Sequence, residues 1–363
     1  MKRRSYKYVF LFNAVFVSAI VIVIFVMYRG NIGEKNIMTS ITNPLVFSDT
    51  LNVSFCKNAK AAVLIDARSG AVLYEKNSKT RLPMASTTKI MTAICVIENS
   101  SPEDVVIISK NASLTEGSSI YLTEGESMTV KDLLYGLMLE SGNDAATALA
   151  EGVFGSVESC LECMNKKAHS LGLVDTNFAN PHGLDDEKHY TTAYELALIT
   201  RNAMENDFFR ELVMTKSYVA AGKNDRYFSN HNRLLRSYPK ATGVKTGYTS
   251  RAGRCLVSAS CDENEEYIAV TLDDSLDWQD HKDMHTFAFD TFEGFEIADK
   301  DNFFVYGNFS KYKSPENIYI TTSGEGGFTL NYKIVIDKDA AFVEYSTDSK
   351  SLGKFMLEKQ YEL

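Results

Sequence analysis

The sequence predicts an α+β body followed by a small all-β segment at the C-terminal end. Between residues 86 and 206, apolar side chains recur at spacings of three and four, which predicts a series of helices. Short β-branched runs at 254–259 and 267–272 predict strands. From residue 303 to 363, every apolar run is strand-like and bounded by turn residues. The chain therefore reads as a mixed helix and strand body with a β appendix.

The elements follow one another along the chain. A β-hairpin is predicted at 61–74, where two apolar runs flank the turn sequence Asp-Ala-Arg-Ser-Gly. Thr192 and Glu195 give a capping pattern at the start of one predicted helix. The predicted helices are 86–98, 130–139, 144–154, 156–171, 192–206 and 280–293.

Composition excludes several classes of protein. With 363 residues, 45% of them hydrophobic, the chain is long enough to bury a sizeable core. Its net charge of −9 does not suit non-specific binding to nucleic acid, which needs a basic surface. Six cysteines are too few for a disulfide scaffold. No nucleic-acid partner is expected.

The first thirty residues differ from the rest of the chain. Five basic residues and no acidic ones give residues 1–30 a charge of +5, which leaves −14 for the remainder. Residues 9–28 are uncharged and, as a helix, reach about 30 Å, the thickness of a bilayer's hydrocarbon core. The basic end predicts a cytoplasmic start. We expect a single-pass membrane anchor with an extracytoplasmic remainder; the alternative is a cleaved signal peptide, although no small-x-small cleavage site follows Tyr28.

Four segments are predicted from these patterns. Residues 31–58, with isolated apolar positions and Pro44 among Asn, Ser and Thr, are predicted to be a stalk. The predicted organisation is a basic end and anchor at 1–30, the stalk at 31–58, the main domain at 59–296 and a small β domain at 303–363.

Three short motifs contain residues that can take part in catalysis. Ser86-Thr87-Thr88-Lys89 places an amine one helical turn from a hydroxyl, where a neutral lysine can activate a serine nucleophile. A serine at this place is also a common helix cap. Ser141-Gly142-Asn143 offers a proton-relaying hydroxyl and an amide for a peptide bond, and it is equally good turn chemistry.

The third motif is Lys245-Thr246-Gly247, followed by Tyr248 and placed just before a predicted strand. Lysine and threonine bind carboxylates, and glycine permits close approach of a substrate backbone, although an ordinary turn has the same composition. Each motif alone is weak. Their order and their separations match the S-x-x-K, S-x-N and K-T-G set of penicillin-binding proteins and serine β-lactamases.

The chain resembles, more specifically, the low-molecular-mass D-alanyl-D-alanine carboxypeptidases of serine peptidase family S11. The matching stretches are 82–94 (LPMASTTKIMTAI), 139–146 (LESGNDAA), 177–191 (NFANPHGLDDEKHYT) and 243–255 (GVKTGYTSRAGRC). The resemblance implies an antiparallel sheet with helices on both faces and an all-helical lobe. No E-x-x-L-N run follows Asn143, where class A β-lactamases carry their deacylating glutamate, so inhibition by penicillin is expected rather than its hydrolysis.

The resemblance also implies a role for each motif residue. Ser86 would attack the carbonyl between two terminal D-alanines, Lys89 would be its general base, and Ser141 would pass the proton to the leaving D-alanine. Lys245 would balance charge beside that serine. The predicted substrate-binding residues are Asn143, Lys245, Thr246, Gly247 and Tyr248, with the amides of Ser86 and Tyr248 as the oxyanion hole.

The expected substrate is a peptidoglycan stem peptide ending in D-Ala-D-Ala, with β-lactam antibiotics as covalent inhibitors and with no metal or cofactor. Two alternatives are a DD-endopeptidase acting on cross-links and a non-catalytic wall-binding protein on the same fold. Many relatives carry an arginine just before the strand at 268–272, which helps to hold the substrate carboxylate. This chain has Glu265 and Glu266 there, and Arg251 or Arg254 could substitute.

The histidines and cysteines give weaker signals. His182 lies in an Asn-Pro-His-Gly loop that matches the family, where a structural role is expected. Cys160 and Cys163 have the spacing of a redox motif, but on a predicted helix, so buried or half-buried thiols are expected. The alternative that these cysteines form a disulfide bridge is left open by the sequence.

Overall fold

A five-stranded antiparallel sheet lies at the centre of the body, in the strand order β2 (Val72–Lys76), β1 (Ala61–Asp66), β9 (Glu266–Leu272), β8 (Gly253–Cys261) and β7 (Ala241–Thr249). The structure is a computed structural model of the chain. The residues described are 53–360, without 222–224, 263–264, 302, 308–309, 316, 324–330, 338–339 and 347–350. The predicted membrane anchor and most of the predicted stalk lie outside them. Within these described residues, no helix has the length and apolar character needed to cross a bilayer.

The hairpin predicted near the start of the body is confirmed. β1 (Ala61–Asp66) pairs with β2 (Val72–Lys76) on one side and with β9 (Glu266–Leu272) on the other. β8 (Gly253–Cys261) joins β9 to β7 (Ala241–Thr249), which forms one edge of the sheet.

Helices cover both faces of this sheet. The alternate residues Val63, Ile65, Val257 and Val270 face a large apolar core shared with the helical lobe. The intervening positions Leu64 and Ala269 pack on the opposite face, against the long helix that follows β9. Because both sets are fully buried, the sheet is the middle layer of the body.

The helical lobe contains the helices that the apolar spacing predicts. The helices of the body are α1 (Lys89–Asn99), α2 (Lys110–Ser113), α3 (Val130–Leu139), α4 (Asn143–Phe154), α5 (Val157–Ser170), α6 (Ala193–Met204), α7 (Asp207–Met214), α8 (Leu234–Ser237) and α9 (Asp277–Thr291). Two small hairpins complete the body: β3 (Val105–Ile107) with β4 (Ser127–Thr129), and β5 (Ser217–Ala220) with β6 (Arg226–Ser229).

Side-chain caps fix where several of these helices begin. The predicted cap Thr192 accepts a hydrogen bond from the amide of Glu195 at 3.1 Å. The carboxylate of Glu195 instead accepts from the amides of Val174 and Asp175, so it anchors the preceding loop. The predicted helix at 86–98 begins with a 3-10 helix, Ala85–Thr88, and becomes α-helical only at Lys89.

Two buried histidines join α9 to the sheet. Ser258 Oγ lies 2.6 Å from both His281 Nδ1 and His285 Nε2, and Ser260 and Thr271 bond the remaining ring nitrogens. Burial lowers the pKa of His285 to about 3 and the pKa of His281 well below its usual value. Both rings are therefore neutral parts of a packed polar layer.

The C-terminal segment is all-β, as predicted. β10 (Phe292–Ala298) pairs with β13 (Ile318–Ser323), and a five-stranded sheet has the order β11-β12-β16-β15-β14. The remaining strands are β11 (Phe304–Gly307), β12 (Ser310–Lys313), β14 (Asn331–Asp337), β15 (Ala340–Ser346) and β16 (Ser351–Gln360). This segment meets the turn after β1, where Ser69 Oγ lies 2.6 Å from Thr321 Oγ1.

Candidate active site

Ser86 lies in the 3-10 helix that precedes α1. Two hydroxyls stabilise this turn: Thr87 Oγ1 donates to the Met84 carbonyl at 2.6 Å, and Thr88 Oγ1 donates to the Ala85 carbonyl at 2.8 Å. The Ser86 side chain is half-buried, while its neighbours on both sides are buried. The turn therefore presents one hydroxyl to the surface of the lobe.

Two glycines allow backbone to pass on either side of Ser86. A Cβ atom on Gly183, whose φ is +95°, would lie 2.0 Å from the carbonyl oxygen of Ala85. A Cβ atom on Gly247 would lie 3.0 Å from the amide nitrogen of Ser86. The loop at Gly183 and strand β7 therefore pack directly against the nucleophile's turn, and a side chain at Gly183 would displace it.

The amine of Lys89 is fully buried beside Ser86. Its Nζ lies 3.0 Å from Ser86 Oγ, 2.7 Å from Asn143 Oδ1 and 2.6 Å from the carbonyl oxygen of His182. The amide of Asn143 has a fixed orientation, because its Nδ2 donates to the carbonyl of Glu116 at 2.7 Å. All three partners of the amine are oxygen atoms.

These contacts orient the lone pair of a neutral Lys89. A neutral amine has two N–H donors and one lone pair. Asn143 Oδ1 and the His182 carbonyl can only accept, so they take the two N–H groups. The lone pair is then left for the hydroxyl proton of Ser86, which is the geometry that a general base requires.

Burial and a neighbouring cation favour the neutral form. Desolvation lowers the pKa of Lys89 well below its usual value, and the charge of Lys245 lowers it further. Burial alone lowers the pKa of Lys245 to about 7. A buried ammonium loses its hydration, and a second positive charge nearby raises the cost of keeping the proton.

Ser141 and Lys245 form a second hydroxyl and amine pair. Lys245 Nζ lies 3.1 Å from Ser141 Oγ and 3.0 Å from the carbonyl oxygen of Thr246. Ser141 is 6% exposed and has a φ of +63°, an uncommon conformation for a residue other than glycine. In this backbone conformation the Ser141 hydroxyl lies beside the amine of Lys245.

Asp144 holds the loop that orients the neighbouring Asn143. Its carboxylate accepts from the Ser119 hydroxyl at 2.6 Å and from the amides of Ile120 and Leu122. Asp144 therefore fixes the loop that carries Glu116 and, through it, the amide of Asn143.

The Lys-Thr-Gly motif precedes the predicted strand, β8, and itself lies in strand β7, which the sequence did not predict. Thr246 is half-buried and Tyr248 is 67% exposed. The sequence of β7 is rich in Gly and Thr, so it lacks the apolar alternation that marks an interior strand. As an edge strand, β7 offers backbone groups to which an extended peptide can add.

His189 is a site residue that sequence reasoning missed. The amide of Ala179 donates to its Nδ1 at 3.0 Å, so its Nε2 carries the proton and donates to Thr88 Oγ1 at 2.7 Å. Burial lowers the pKa of His189 to about 4 and the pKa of His182 to about 3. His189 therefore holds the nucleophile's turn, whereas His182 contributes a carbonyl to Lys89.

The acidic run before β9 lies at the far end of the sheet from Ser86. Glu266 binds Arg210 through two hydrogen bonds, of 2.7 and 2.8 Å. Arg254 stands opposite Tyr248 in the β7–β8 ladder, and its guanidinium binds Asp277 at 2.7 Å. Arg254 therefore lies beside the strand that carries the Lys-Thr-Gly motif, but its guanidinium already has a carboxylate partner.

The described residues include no group of three or more His, Cys, Asp or Glu side chains arranged to hold a metal ion. The structure brings the hydroxyl and amine pairs of all three motifs into one site. The roles of Ser86, Lys89, Ser141, Asn143, Lys245, Thr246, Gly247 and Tyr248 remain predictions.

Solved structures with this fold give the class of the protein. Penicillin-binding protein 5 from Haemophilus influenzae aligns with a TM-score of 0.75 and 26% identity over 86% of this chain and 98% of that one. The D-alanyl-D-alanine carboxypeptidase DacD from Francisella tularensis aligns with a TM-score of 0.68 and 25% identity over 93% and 98%. The α+β fold with an all-β C-terminal segment is therefore that of the DD-peptidases.

The chain belongs to the D-alanyl-D-alanine carboxypeptidase family, peptidase family S11, whose sequence profile matches residues 49–276. It is 42% identical to the D-alanyl-D-alanine carboxypeptidase DacF of Bacillus subtilis, over 59% of this chain and 57% of that protein. It is 35% identical to DacC of Escherichia coli, over 68% and 65%. The matched part thus spans under two thirds of the length of these two relatives.

Proposed function

We propose that this chain is a serine-type D-Ala-D-Ala carboxypeptidase that removes the terminal D-alanine from peptidoglycan stem peptides. The observation that carries the proposal is the 3.0 Å contact between Lys89 Nζ and Ser86 Oγ, made by an amine whose pKa is lowered by burial. The relatives named above, which carry this activity in their names, support it.

The proposed reaction proceeds through an acyl-enzyme. Lys89 takes the hydroxyl proton as Ser86 Oγ attacks the carbonyl carbon of the penultimate D-alanine, with the amides of Ser86 and Tyr248 stabilising the oxyanion. Ser141, bonded to Lys245, delivers a proton to the leaving amine. The amide bond breaks, free D-alanine departs, and water attacks the ester to release the shortened peptide and restore the Ser86 hydroxyl.

Substrate binding is proposed to use the edge of β7. Asn143 would bind the backbone amide of the stem peptide, and Thr246 its terminal carboxylate, while Gly247 leaves room for the substrate backbone. Lys245 supplies positive potential beside that carboxylate. β-Lactams would enter the same site and acylate Ser86, because their ring carbonyl and carboxylate mimic the substrate's.

We further propose the membrane location that the sequence predicts. Residues 1–30 would anchor the chain in the cell membrane and residues 31–58 would form the stalk, with the peptidase domain at 59–296 and the β domain at 303–363 outside the cytoplasm. Extraction of membranes with high salt and then with detergent would test it, because an anchored chain stays with the membrane until detergent is added.

The activity test uses the full-length chain in detergent. Incubation with diacetyl-L-Lys-D-Ala-D-Ala should release D-alanine, and a fluorescent penicillin should form an adduct that peptide mapping assigns to Ser86. Ser86→Ala should lose both. Absence of D-alanine release together with absence of an adduct would refute the proposal. Cleavage of cross-linked muropeptide dimers into monomers, without release of D-alanine from the tripeptide, would favour the endopeptidase instead.

A further inference from the structure

A hydrogen bond between a hydroxyl and a carboxylate joins the loop on one side of Ser86 to the strand on the other. Thr249 is the last residue of β7, and its Oγ1 lies 2.8 Å from Asp185 Oδ1. Gly183 in the loop and Gly247 in the strand, which pack against the turn of Ser86, each precede one of these partners by two positions. The bond therefore connects the two segments just beyond the points where they touch the nucleophile's turn.

The Thr249 hydroxyl uses both its donor and its acceptor capacity. Its oxygen accepts from the amide of Ala252 at 2.9 Å, within the turn that leads from β7 to β8. A carboxylate oxygen can only accept, so the single hydroxyl proton goes to Asp185. Thr249 thus ties the end of β7 to its own turn and to the loop at the same time.

The loop that carries Asp185 also contacts the proposed base. Asn180 closes this loop on itself, because its Nδ2 donates to the Leu184 carbonyl at 2.9 Å and its Oδ1 accepts from the amide of His182 at 3.3 Å. The His182 carbonyl accepts from Lys89 Nζ at 2.6 Å. The loop is therefore a braced segment that bonds the base through His182 and strand β7 through Asp185.

The strand end that Asp185 holds carries one amide of the proposed oxyanion hole. Tyr248 lies between Gly247 and Thr249, so the position of its amide follows from the position of these two neighbours. β7 is an edge strand, and its ladder with β8 holds it from one side only. The bond from Thr249 to Asp185 adds a hold from outside the sheet, one residue away from that amide.

We propose that Asp185 and Thr249 are positioning residues for acylation, whose hydrogen bond sets the distance between the amides of Ser86 and Tyr248. The inference rests on the proposed function, because these amides form the oxyanion hole of that reaction. Donors of an oxyanion hole stabilise the transition state only when they are fixed in advance at hydrogen-bond distance from the developing charge. Without the bond, the site should still bind its ligand but acylate slowly.

The test separates binding from acylation in the full-length chain. Stopped-flow reaction with a fluorescent penicillin at several concentrations gives the dissociation constant of the first complex and the rate constant of acylation. Asp185→Ala should lower this rate constant about 10- to 100-fold, less than the roughly 100- to 1,000-fold cost of deleting a donor, because the amide is displaced and not removed. The dissociation constant should stay within about threefold, as for an interaction made only in the transition state.

A transition-state analogue gives a second reading that a purely structural role would not change. An N-acyl boronic acid analogue of D-alanine forms a tetrahedral adduct on Ser86, with one boron-bound oxygen in the place of the oxyanion. Its affinity should fall by the same factor as the acylation rate constant. Thermal unfolding of Asp185→Ala should hardly change, since Asp185 is exposed.

Conservative variants and a neighbouring carboxylate serve as controls. Asp185→Asn keeps an oxygen that can accept from Thr249, and Thr249→Ser keeps the hydroxyl, so both should recover most of the rate that Asp185→Ala and Thr249→Val lose. Asp186 is also exposed, but its Oδ1 accepts from the amide of Lys188 at 2.7 Å, within its own loop. Asp186→Ala should therefore acylate like wild type.

Three results would overturn the inference and leave the proposed function intact, because the adduct on wild-type Ser86 is measured in the same experiment. These are acylation of Asp185→Ala at the wild-type rate, an equal loss in Asp186→Ala, and a defect of Asp185→Ala confined to the dissociation constant. Absence of the adduct on wild-type Ser86 would instead refute the proposed function, and this inference with it.

Discussion

Replacing Lys89 with glutamine separates the chemistry of this amine from its structural contacts. A glutamine amide has two N–H donors, enough for Asn143 Oδ1 and the His182 carbonyl, which Lys89 bonds at 2.7 and 2.6 Å. It has no basic lone pair for the Ser86 hydroxyl. The substitution therefore preserves most of the buried hydrogen bonds and removes only the base.

The expected loss follows from that difference. General-base catalysis contributes about 100- to 10,000-fold, or about 3–5 kcal/mol of activation free energy. The lost hydrogen bond to Ser86 should cost the folded state only about 1 kcal/mol, and removal of the buried amine offsets that cost. Acylation should thus fall by far more than the change in stability can explain.

Stopped-flow acylation by a fluorescent penicillin at pH 8 measures the loss of acylation rate. Urea unfolding measures the change in the free energy of unfolding. Lys89→Met serves as the comparison, because it removes the base and also leaves both acceptors unpaired. It should acylate as slowly as the glutamine variant and unfold at lower urea. Acylation of Lys89→Gln within tenfold of wild type would show that Lys89 is not the base.

Three further perturbations test the site and its surroundings. Gly183→Ala should abolish acylation and lower Tm strongly, because its Cβ would lie 2.0 Å from a backbone oxygen of the nucleophile's turn; Gly155→Ala, also at positive φ but with open space around it, should cost only about 1 kcal/mol in thermal unfolding. Lys245 has a pKa of about 7 when folded and about 10.4 when unfolded, so above pH 7 the unfolded chain binds one proton more and stability rises with pH. Between pH 7 and 8.5, the free energy of unfolding in urea should rise by about 1–2 kcal/mol more for wild type than for Lys245→Met. The same pH dependence in both proteins would show that burial does not lower the pKa of Lys245. Glu266→Gln should break the paired contact with Arg210 and cost about 1–3 kcal/mol without changing the KM for a D-Ala-D-Ala peptide; a lower KM would mean that this carboxylate opposes substrate binding.

Apolar periodicity predicted most helices because burial of one face is encoded locally. α3 occupies the residues predicted for it, 130–139, and α6 begins after the predicted cap Thr192. α7 was not predicted: it is only eight residues long, and it begins just beyond the predicted helix 192–206, where Asn206 caps it by accepting from the amide of Phe209. Strand β7 was not predicted, because an edge strand rich in Gly and Thr carries little apolar signal.

Contacts of the candidate site were predictable from the sequence where both residues lie within one helical turn. Ser86 and Lys89 are three residues apart, and their contact is close to what that spacing implies. The His182 carbonyl was not predictable, because a backbone oxygen has no sequence signature. Nor was the bond from His189 to Thr88, which joins residues 101 positions apart.

Burial of Lys89 and Lys245 links the chemistry of the site to the stability of the fold. The hydrogen-bond partners of both amines are hydroxyl, amide and carbonyl oxygens. Such neutral acceptors position an amine without holding its proton, whereas a carboxylate would raise its pKa. Each lysine also lacks the hydration of a surface amine, so the free energy that makes Lys89 a base at neutral pH is taken from the stability of the folded state. The apolar core between the sheet and the helical lobe must offset that cost.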